Sequence, residues 1–144
     1  WSWLGAPVCH LARLRSKILS NHQSNAMQNI LMIVHAPPYG SERVLSALRV
    51  ALALAGKDSD KPQLNVFLMS DATVLALPNQ QDASGNTLQK MLEQLIGHGV
   101  PVRLCKTCAG NRGLLDLPLI SGVTFGTLAE LADATLAADK VITF

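Results

Sequence analysis

The chain has 144 residues, the size of a single domain, and 49% of them are hydrophobic while 15% are charged. This balance excludes a disordered chain and allows a packed core, which an aromatic content of 4% makes mainly aliphatic. Residues 27–144 carry nine Lys or Arg against ten Asp or Glu, so they have no basic stripe, and direct nucleic acid binding is not expected. A membrane association is not expected either, since no apolar run approaches the roughly 20 residues that a spanning helix needs.

The first 26 residues differ from the rest in character. They contain three basic residues and no acidic one. They end in Ser24-Asn25-Ala26 before Met27, a sequence that resembles the remnant of a cleavable expression tag. We therefore interpret residues 1–26 as extraneous and residues 27–144 as one domain. The competing interpretation is a targeting peptide, because such peptides are rich in Arg and poor in acids.

From residue 27 onward, strand and helix patterns alternate. Residues 29–35 form a continuous apolar run of strand length, which is typical of a strand covered on both faces. After two prolines, Ser41 is a plausible N-cap for a helix that ends near residue 55. A second strand is predicted over residues 64–70, and a short helical or irregular piece over residues 72–77.

The second half repeats the alternation. We predict a helix with its N-cap at Asn86, a third strand over residues 101–104, a short strand over residues 123–125 and a final strand over residues 140–144. Residues 114–120 are predicted to be irregular. One face of the helix that begins after Asn86 is expected to consist of Leu88, Met91, Leu92, Leu95 and Ile96.

A last helix is predicted between the two final strands. Thr127 and Glu130 have the spacing of a capping box at its start. Its inner face is expected to consist of Leu128, Leu131, Ala132, Thr135 and Leu136.

Alternating strands and helices predict an α/β fold in which a parallel sheet lies between helices. The carboxyl ends of parallel strands share one edge of the sheet, where ligands bind in open α/β folds. His35, Asp71 and Cys105 all lie at predicted strand ends. We therefore expect these three residues to lie near one crevice.

The cysteines carry the candidate chemistry. The count is odd, with Cys9 distant and Cys105 and Cys108 close together, which argues against a disulfide framework and favours a reducing, cytoplasmic setting. The thiolate is the reactive form of cysteine, and the nearby Lys106 and Arg112 are expected to favour it. The pair is interpreted as a redox or sulfur-carrying dithiol, as half of a metal site, or as two small buried hydrophobic residues.

A metal is the weakest of these interpretations, because residues 27–144 contain no second cysteine pair to complete a tetrahedral zinc site. No cofactor is expected either, because the glycine patterns of nucleotide-binding loops are missing.

Further residues are candidates for binding roles. Arg112 lies close to glycines on both sides, so a turn can direct it towards the thiols, while Lys106 can hold an anion. His35 is either a base or polar wall or a structural residue, and Asp71 either orients a ligand or caps a helix. Tyr39 lines either the crevice or a subunit contact.

Several segments together resemble the DsrE/DsrF-like family, in particular its YchN-like branch. These are the strand of residues 29–35 followed by Pro-Tyr-Gly-Ser-Glu, the segments 67–72 and 100–108, Arg112-Gly113, and the segments that begin at Gly126 and end at Phe144. The resemblance covers residues 27–144. It implies a three-layer α/β/α sandwich with a five-stranded, mainly parallel sheet, and homo-oligomers that are trimers or hexamers.

The resemblance also implies a function. Relatives in this family are sulfur-relay subunits that carry sulfur as a cysteine persulfide, in thiouridine synthesis on transfer RNA or in sulfur oxidation, between protein donors and acceptors. In them the carrier cysteine precedes the glycine of an Arg-Gly pair by eight positions, as Cys105 precedes Gly113. Cys108 is additional to that pattern and is expected to be a resolving or alternative thiol.

The expected function is therefore that of a persulfide sulfur carrier, or sulfurtransferase subunit, with an unassigned substrate. One alternative is an oligomeric protein that binds a small ligand or a partner without catalysis. The other is a redox switch in which Cys105 and Cys108 form a disulfide reversibly.

Overall fold

The computed structural model describes residues 26–85 and 87–144, so the interpretation of residues 1–25 and the predicted N-cap at Asn86 lie outside the described residues. The elements in chain order are β1 (Asn29–Val34), α1 (Arg43–Ala55), β2 (Gln63–Leu68), a 3₁₀ helix (Ser70–Ala76), α2 (Leu88–Gly97), β3 (Val102–Cys105), α3 (Lys106–Gly110), β4 (Val123–Gly126), α4 (Leu128–Ala137) and β5 (Lys140–Thr143).

The strands form one five-stranded sheet in the order β4-β3-β2-β1-β5. Every neighbouring pair is parallel. This confirms the predicted α/β fold with a parallel sheet. Because all five strands run in the same direction, the ends of β1, β2 and β3 lie side by side at one edge of the sheet.

Alternate residues along the strands point to opposite faces of the sheet. On one face, Met32, Val66 and Leu104 join a large buried cluster that includes the apolar sides of α1 and α2. On the other face, Leu31, Phe67 and Cys105 form a small buried cluster, against which Leu131 and Ala134 of α4 pack. The sheet is therefore thickly covered on one face and thinly covered on the other.

The helix boundaries follow the sequence pattern with small shifts. The N-cap of α2 is Thr87, whose hydroxyl accepts a hydrogen bond from the backbone N–H of Gln89 at 3.0 Å. Leu92 and Leu95 are fully buried on the predicted face of this helix. Residues 114–120 form no helix or strand, as predicted.

The predicted inner face of α4 is wrong at every position except Leu131. The capping box of Thr127 and Glu130 is present, but Leu128 is 55% exposed and Leu136 is 87% exposed. No residue of α4 is buried, and the helix contacts the sheet through Leu131 and Ala134. The physical reason is the small cluster beneath it, which accommodates only a narrow strip of a ten-residue helix.

The short helix α3 was not predicted from the sequence. It begins directly after β3 and has five residues, too few for a hydrophobic period to be recognised. Among the helices described for residues 26–85 and 87–144, none is long and apolar enough to cross a membrane.

We expect Leu95→Ala to lower the free energy of unfolding by about 2–5 kcal/mol, because it empties a fully buried position between α2 and the sheet. The matched control is Leu117→Ala, at a position that is 46% exposed, which we expect to change stability by only about 0.5 kcal/mol. Urea unfolding followed by circular dichroism measures both. Equal losses would contradict the described burial of α2.

Candidate thiol site

The junction between β3 and α3 fixes the two cysteines relative to each other. Cys105 is the last residue of β3 and also the N-cap of α3. Cys108 lies three positions later in that helix, so both side chains lie on the same side of its first turn. The strand positions the first sulfur and the helical turn brings the second one to it.

A hydrogen bond links the two cysteines. The backbone N–H of Cys108 donates it to Sγ of Cys105 at 3.3 Å. Cys105 is 1% exposed, whereas Cys108 is half-buried. A reagent from solution therefore meets the sulfur of Cys108 first.

The pKa of the Cys105 thiol is raised above its ordinary value. Burial is the main cause, and the hydrogen bond with the Cys108 side chain raises it further, while backbone N–H groups partly oppose the shift. Cys105 is therefore neutral at physiological pH in the isolated chain. This outcome differs from the expectation that the nearby cations would favour its thiolate.

The position of Arg112 explains the difference. Its Nη2 forms an ion pair with Oδ1 of Asp71 at 2.8 Å, and its Nη1 donates a hydrogen bond to the backbone carbonyl of Cys108 at 3.0 Å. The guanidinium thus fixes the end of α3 and is neutralised by a carboxylate. Cys105 faces apolar neighbours, among them Leu31 and Phe67.

Asp71 is brought to this pair by an unusual backbone conformation. Ser70, directly before it, has φ 50°, a left-handed conformation that residues other than glycine seldom adopt. The buried Thr73 stabilises the turn, because its hydroxyl donates a hydrogen bond to the carbonyl of Ser70 at 2.7 Å. The 3₁₀ helix therefore starts at an angle that directs Asp71 towards Arg112.

A close approach of the Phe67 ring to Gly126 closes the site on the sheet side. Gly126 of β4 is paired with Cys105, and a Cβ atom built on Gly126 would lie 2.8 Å from Cε2 of Phe67. The glycine therefore gives the Phe67 ring room beside the thiol. Sequence reasoning missed both residues as parts of the site, and a glycine at the end of a strand was the signal that could have identified one of them.

The structure brings only some of the predicted site residues together. Cys105, Cys108, Arg112 and Asp71 form one connected group. Tyr39 lies elsewhere, since its hydroxyl donates to the carbonyl of Gln80 at 3.2 Å, next to the start of α2.

Neither His35 nor Lys106 joins this group through a side-chain hydrogen bond. His35 is exposed just after β1, and its backbone N–H donates to the carbonyl of Phe144 at 2.8 Å. Lys106 is exposed at the start of α3. Within residues 26–85 and 87–144, no group of three or more His, Cys, Asp or Glu residues could hold a metal ion.

These features define a thiol site on a DsrE-type α/β domain, and residues 28–144 match the DsrE/DsrF-like family. The chain belongs to this family. It is 50% identical over 118 residues to Protein YchN from Escherichia coli (strain K12), an alignment that covers 82% of this chain and all of the relative. The crystal structure of the YchN protein from E. coli superposes with a TM-score of 0.77, again over 82% of this chain and all of the other.

More distant relatives carry names that refer to sulfur transfer. The sulfurtransferase TusD homolog of Haemophilus influenzae (strain ATCC 51907) is 29% identical over 125 residues, covering 78% of this chain and 97% of that protein. Sulfurtransferase TusD of Salmonella paratyphi B is also 29% identical, over 127 residues with the same coverage. The family thus includes proteins of sulfur-relay systems.

We expect iodoacetamide to alkylate Cys108 well before Cys105 at neutral pH, because only Cys108 is accessible. The rate at Cys105 should increase only at a pH above the ordinary pKa of a cysteine, since burial raises the pKa of this thiol. Peptide mapping measures the two rates separately, because trypsin cleaves after Lys106, between the two cysteines. In urea, where burial is lost, both cysteines should react alike, and faster labelling of Cys105 in the folded chain would contradict the site geometry.

Proposed function

We propose that this protein is a persulfide sulfur carrier that acts in the cytoplasm and uses the Cys105–Cys108 pair. The observation that carries the proposal is the hydrogen bond from the backbone N–H of Cys108 to Sγ of Cys105 at 3.3 Å, which holds the two cysteines together at the carboxyl edge of the sheet. A sulfane sulfur is transferred when a thiolate attacks a persulfide or polysulfide, which requires a thiol that a donor can reach. The half-buried Cys108 meets this requirement.

The surroundings of the pair support the same chemistry. Arg112 holds the carbonyl of Cys108, so the helical turn that carries this sulfur keeps its position while a donor approaches. The exposed Lys106 adds a positive charge next to Cys105 in sequence, which favours the approach of an anionic persulfide. Distant relatives named sulfurtransferases make sulfur the expected cargo, with proteins as its donor and acceptor.

Loading with sulfur tests the proposal. Immediately after a brief incubation with inorganic polysulfide and rapid removal of the excess, a Cys9→Ser chain should carry the mass of one added sulfur atom, which cyanide removes. The same chain with Cys105→Ser and Cys108→Ser should gain none. Cys9→Ser removes the cysteine outside the described residues, so the added mass reports on the pair alone. A mass that stays that of the reduced chain at every time point, under conditions that load a known persulfide carrier, would exclude the proposed function.

We also propose that the protein is a homo-oligomer, a trimer or a hexamer, as the family resemblance implies. The thinly covered face of the sheet supports this proposal. No residue of α4 is buried, and apolar side chains of α4 and the adjoining strands are exposed: Phe125, Leu128, Leu136 and Val141. Most of the stability of a short helix comes from packing, so a second copy placed against α4 would supply the missing contacts.

A charge at the most exposed of these positions should disrupt the assembly. We expect Leu136→Asp to lower the molar mass in solution, because a buried carboxylate without a partner is costly at an apolar interface. The matched control is Val50→Asp on α1, at an exposed position on the opposite side of the sheet. Multi-angle light scattering after gel filtration measures both. An oligomer that survives Leu136→Asp unchanged would place the interface elsewhere.

A further inference from the structure

The two sulfurs differ in access and in environment, although a hydrogen bond joins the two residues. Cys108 is half-buried at the surface, while Cys105 is 1% exposed inside the small apolar cluster with Leu31 and Phe67. A bulky donor can reach Cys108, but it can reach Cys105 only after the surrounding side chains move. The buried sulfur of Cys105 is therefore in position to react with a group bound to the sulfur of Cys108.

The geometry points to separate roles for the two thiols within the proposed persulfide chemistry, on which this inference rests. It gives Cys108 the carrier role that the family resemblance gives to the position of Cys105. Cys108 accepts the sulfane sulfur, and Cys105 then attacks Sγ of Cys108, which releases hydrosulfide and leaves a Cys105–Cys108 disulfide. The chain would thus release sulfide as well as hold a persulfide for an acceptor.

The loading step uses a persulfide or polysulfide donor, R–S–SH. The thiolate of Cys108 attacks the outer sulfur of the donor, so a new bond forms between Sγ and that sulfur. The S–S bond of the donor breaks, and its electron pair leaves on R–S⁻. The product is a persulfide on Cys108. The sulfane sulfur moves from the donor to Cys108, and no external oxidant or reductant is needed.

The release step involves only this chain. Sγ of Cys105 attacks Sγ of Cys108, the inner sulfur of the persulfide, and the bond to the outer sulfur breaks. The outer sulfur leaves as HS⁻ and takes up the proton that Cys105 gives up, so the products are the disulfide and H₂S. The two cysteine sulfurs are oxidised by two electrons together, and the sulfane sulfur is reduced by the same two electrons. A thiol reductant then returns the disulfide to the dithiol.

Three observations suit Cys105 to the releasing role. Its sulfur already accepts a hydrogen bond from the backbone of Cys108 at 3.3 Å, so the two side chains need little movement to bond. Its burial keeps it from competing for the donor. Burial also raises the pKa of this thiol, so its thiolate does not compete with Cys108 for the donor.

The spacing of the pair is compatible with the product. Disulfides need Cα atoms that are roughly 4.4–6.8 Å apart, and residues three positions apart in a helical turn fall in that range. The backbone of the turn is held by Arg112 and by the hydrogen bond from Arg112 N–H to the carbonyl of Ala109 at 3.1 Å. The disulfide can therefore form without unwinding α3.

The test compares Cys9→Ser chains that carry no other change, Cys105→Ser or Cys108→Ser. Each is loaded with inorganic polysulfide in the absence of any acceptor, freed of donor by rapid gel filtration, and followed by intact mass and by a sulfide-specific fluorescent probe. Since serine places a hydroxyl in an apolar cluster, Cys105→Ala is measured in parallel, and circular dichroism establishes that each variant is folded.

We expect the parent chain to lose its added sulfur, to release one sulfide per chain and to end two hydrogen atoms lighter than the reduced protein. Cys105→Ser and Cys105→Ala should load normally and hold the sulfur at least ten times longer. Cys108→Ser should fail to load.

Other outcomes would overturn the inference. A parent chain that loads and holds its sulfur as long as Cys105→Ala would exclude release by Cys105 and would leave the carrier function intact. Loading of Cys108→Ser with none in Cys105→Ala would reverse the two roles and so refute the assignment. A parent chain that never gains sulfur would refute the carrier function and this inference together.

Discussion

The parallel pairing of β2 with β3 is the constraint on which the thiol site depends. It places the chain segments that follow both strands side by side, so that the 3₁₀ helix after β2 and α3 after β3 pack together. The ion pair between Asp71 and Arg112 joins these two segments across 41 positions of sequence. Without the parallel register, the ion pair would not form, and the helical turn that carries Cys108 would not have this orientation.

Burial and reactivity are separated within this site. A buried thiol is protected from oxidation but is also a poor nucleophile, because an apolar environment disfavours its thiolate. The junction of β3 and α3 meets both requirements, because it places one sulfur in the apolar interior and the other at the surface. Cys105 belongs to the apolar cluster of the sheet, and Cys108 lies on the turn that faces solvent. One hydrogen bond links the two environments.

Much of the fold could be predicted from the sequence, because its signals are local. The continuous apolar run of β1 and the capping box of α4 each depend on a few neighbouring residues, and both were identified. The inner face of α4 was not identified correctly. Apolar residues at helical spacing look the same in the sequence whether the face they form packs against the sheet or stays exposed. Leu136 fits the period and is still 87% exposed.

The site was predictable in its members but not in its contacts. The Cys-x-x-Cys spacing identified the thiols, and the strand ends placed Asp71 near them, since both signals follow from chain order. The sequence did not reveal that Asp71 neutralises Arg112, because that contact depends on the left-handed conformation of Ser70, a residue with no preference for it. The sequence placed Arg112 beside the thiols but did not show that its guanidinium pairs with Asp71.

The ion pair between Arg112 and Asp71 limits which ligands the site can bind. A doubly charged anion needs uncompensated cations, and the guanidinium of Arg112 already has a carboxylate partner at 2.8 Å. Around the two sulfurs, the described part of the chain thus offers one exposed lysine, backbone N–H groups and an apolar wall that contains Phe67. Such surroundings favour a soft, weakly hydrated species with a single charge over a phosphate or a dicarboxylate. A hydropersulfide, the cargo proposed above, has this character.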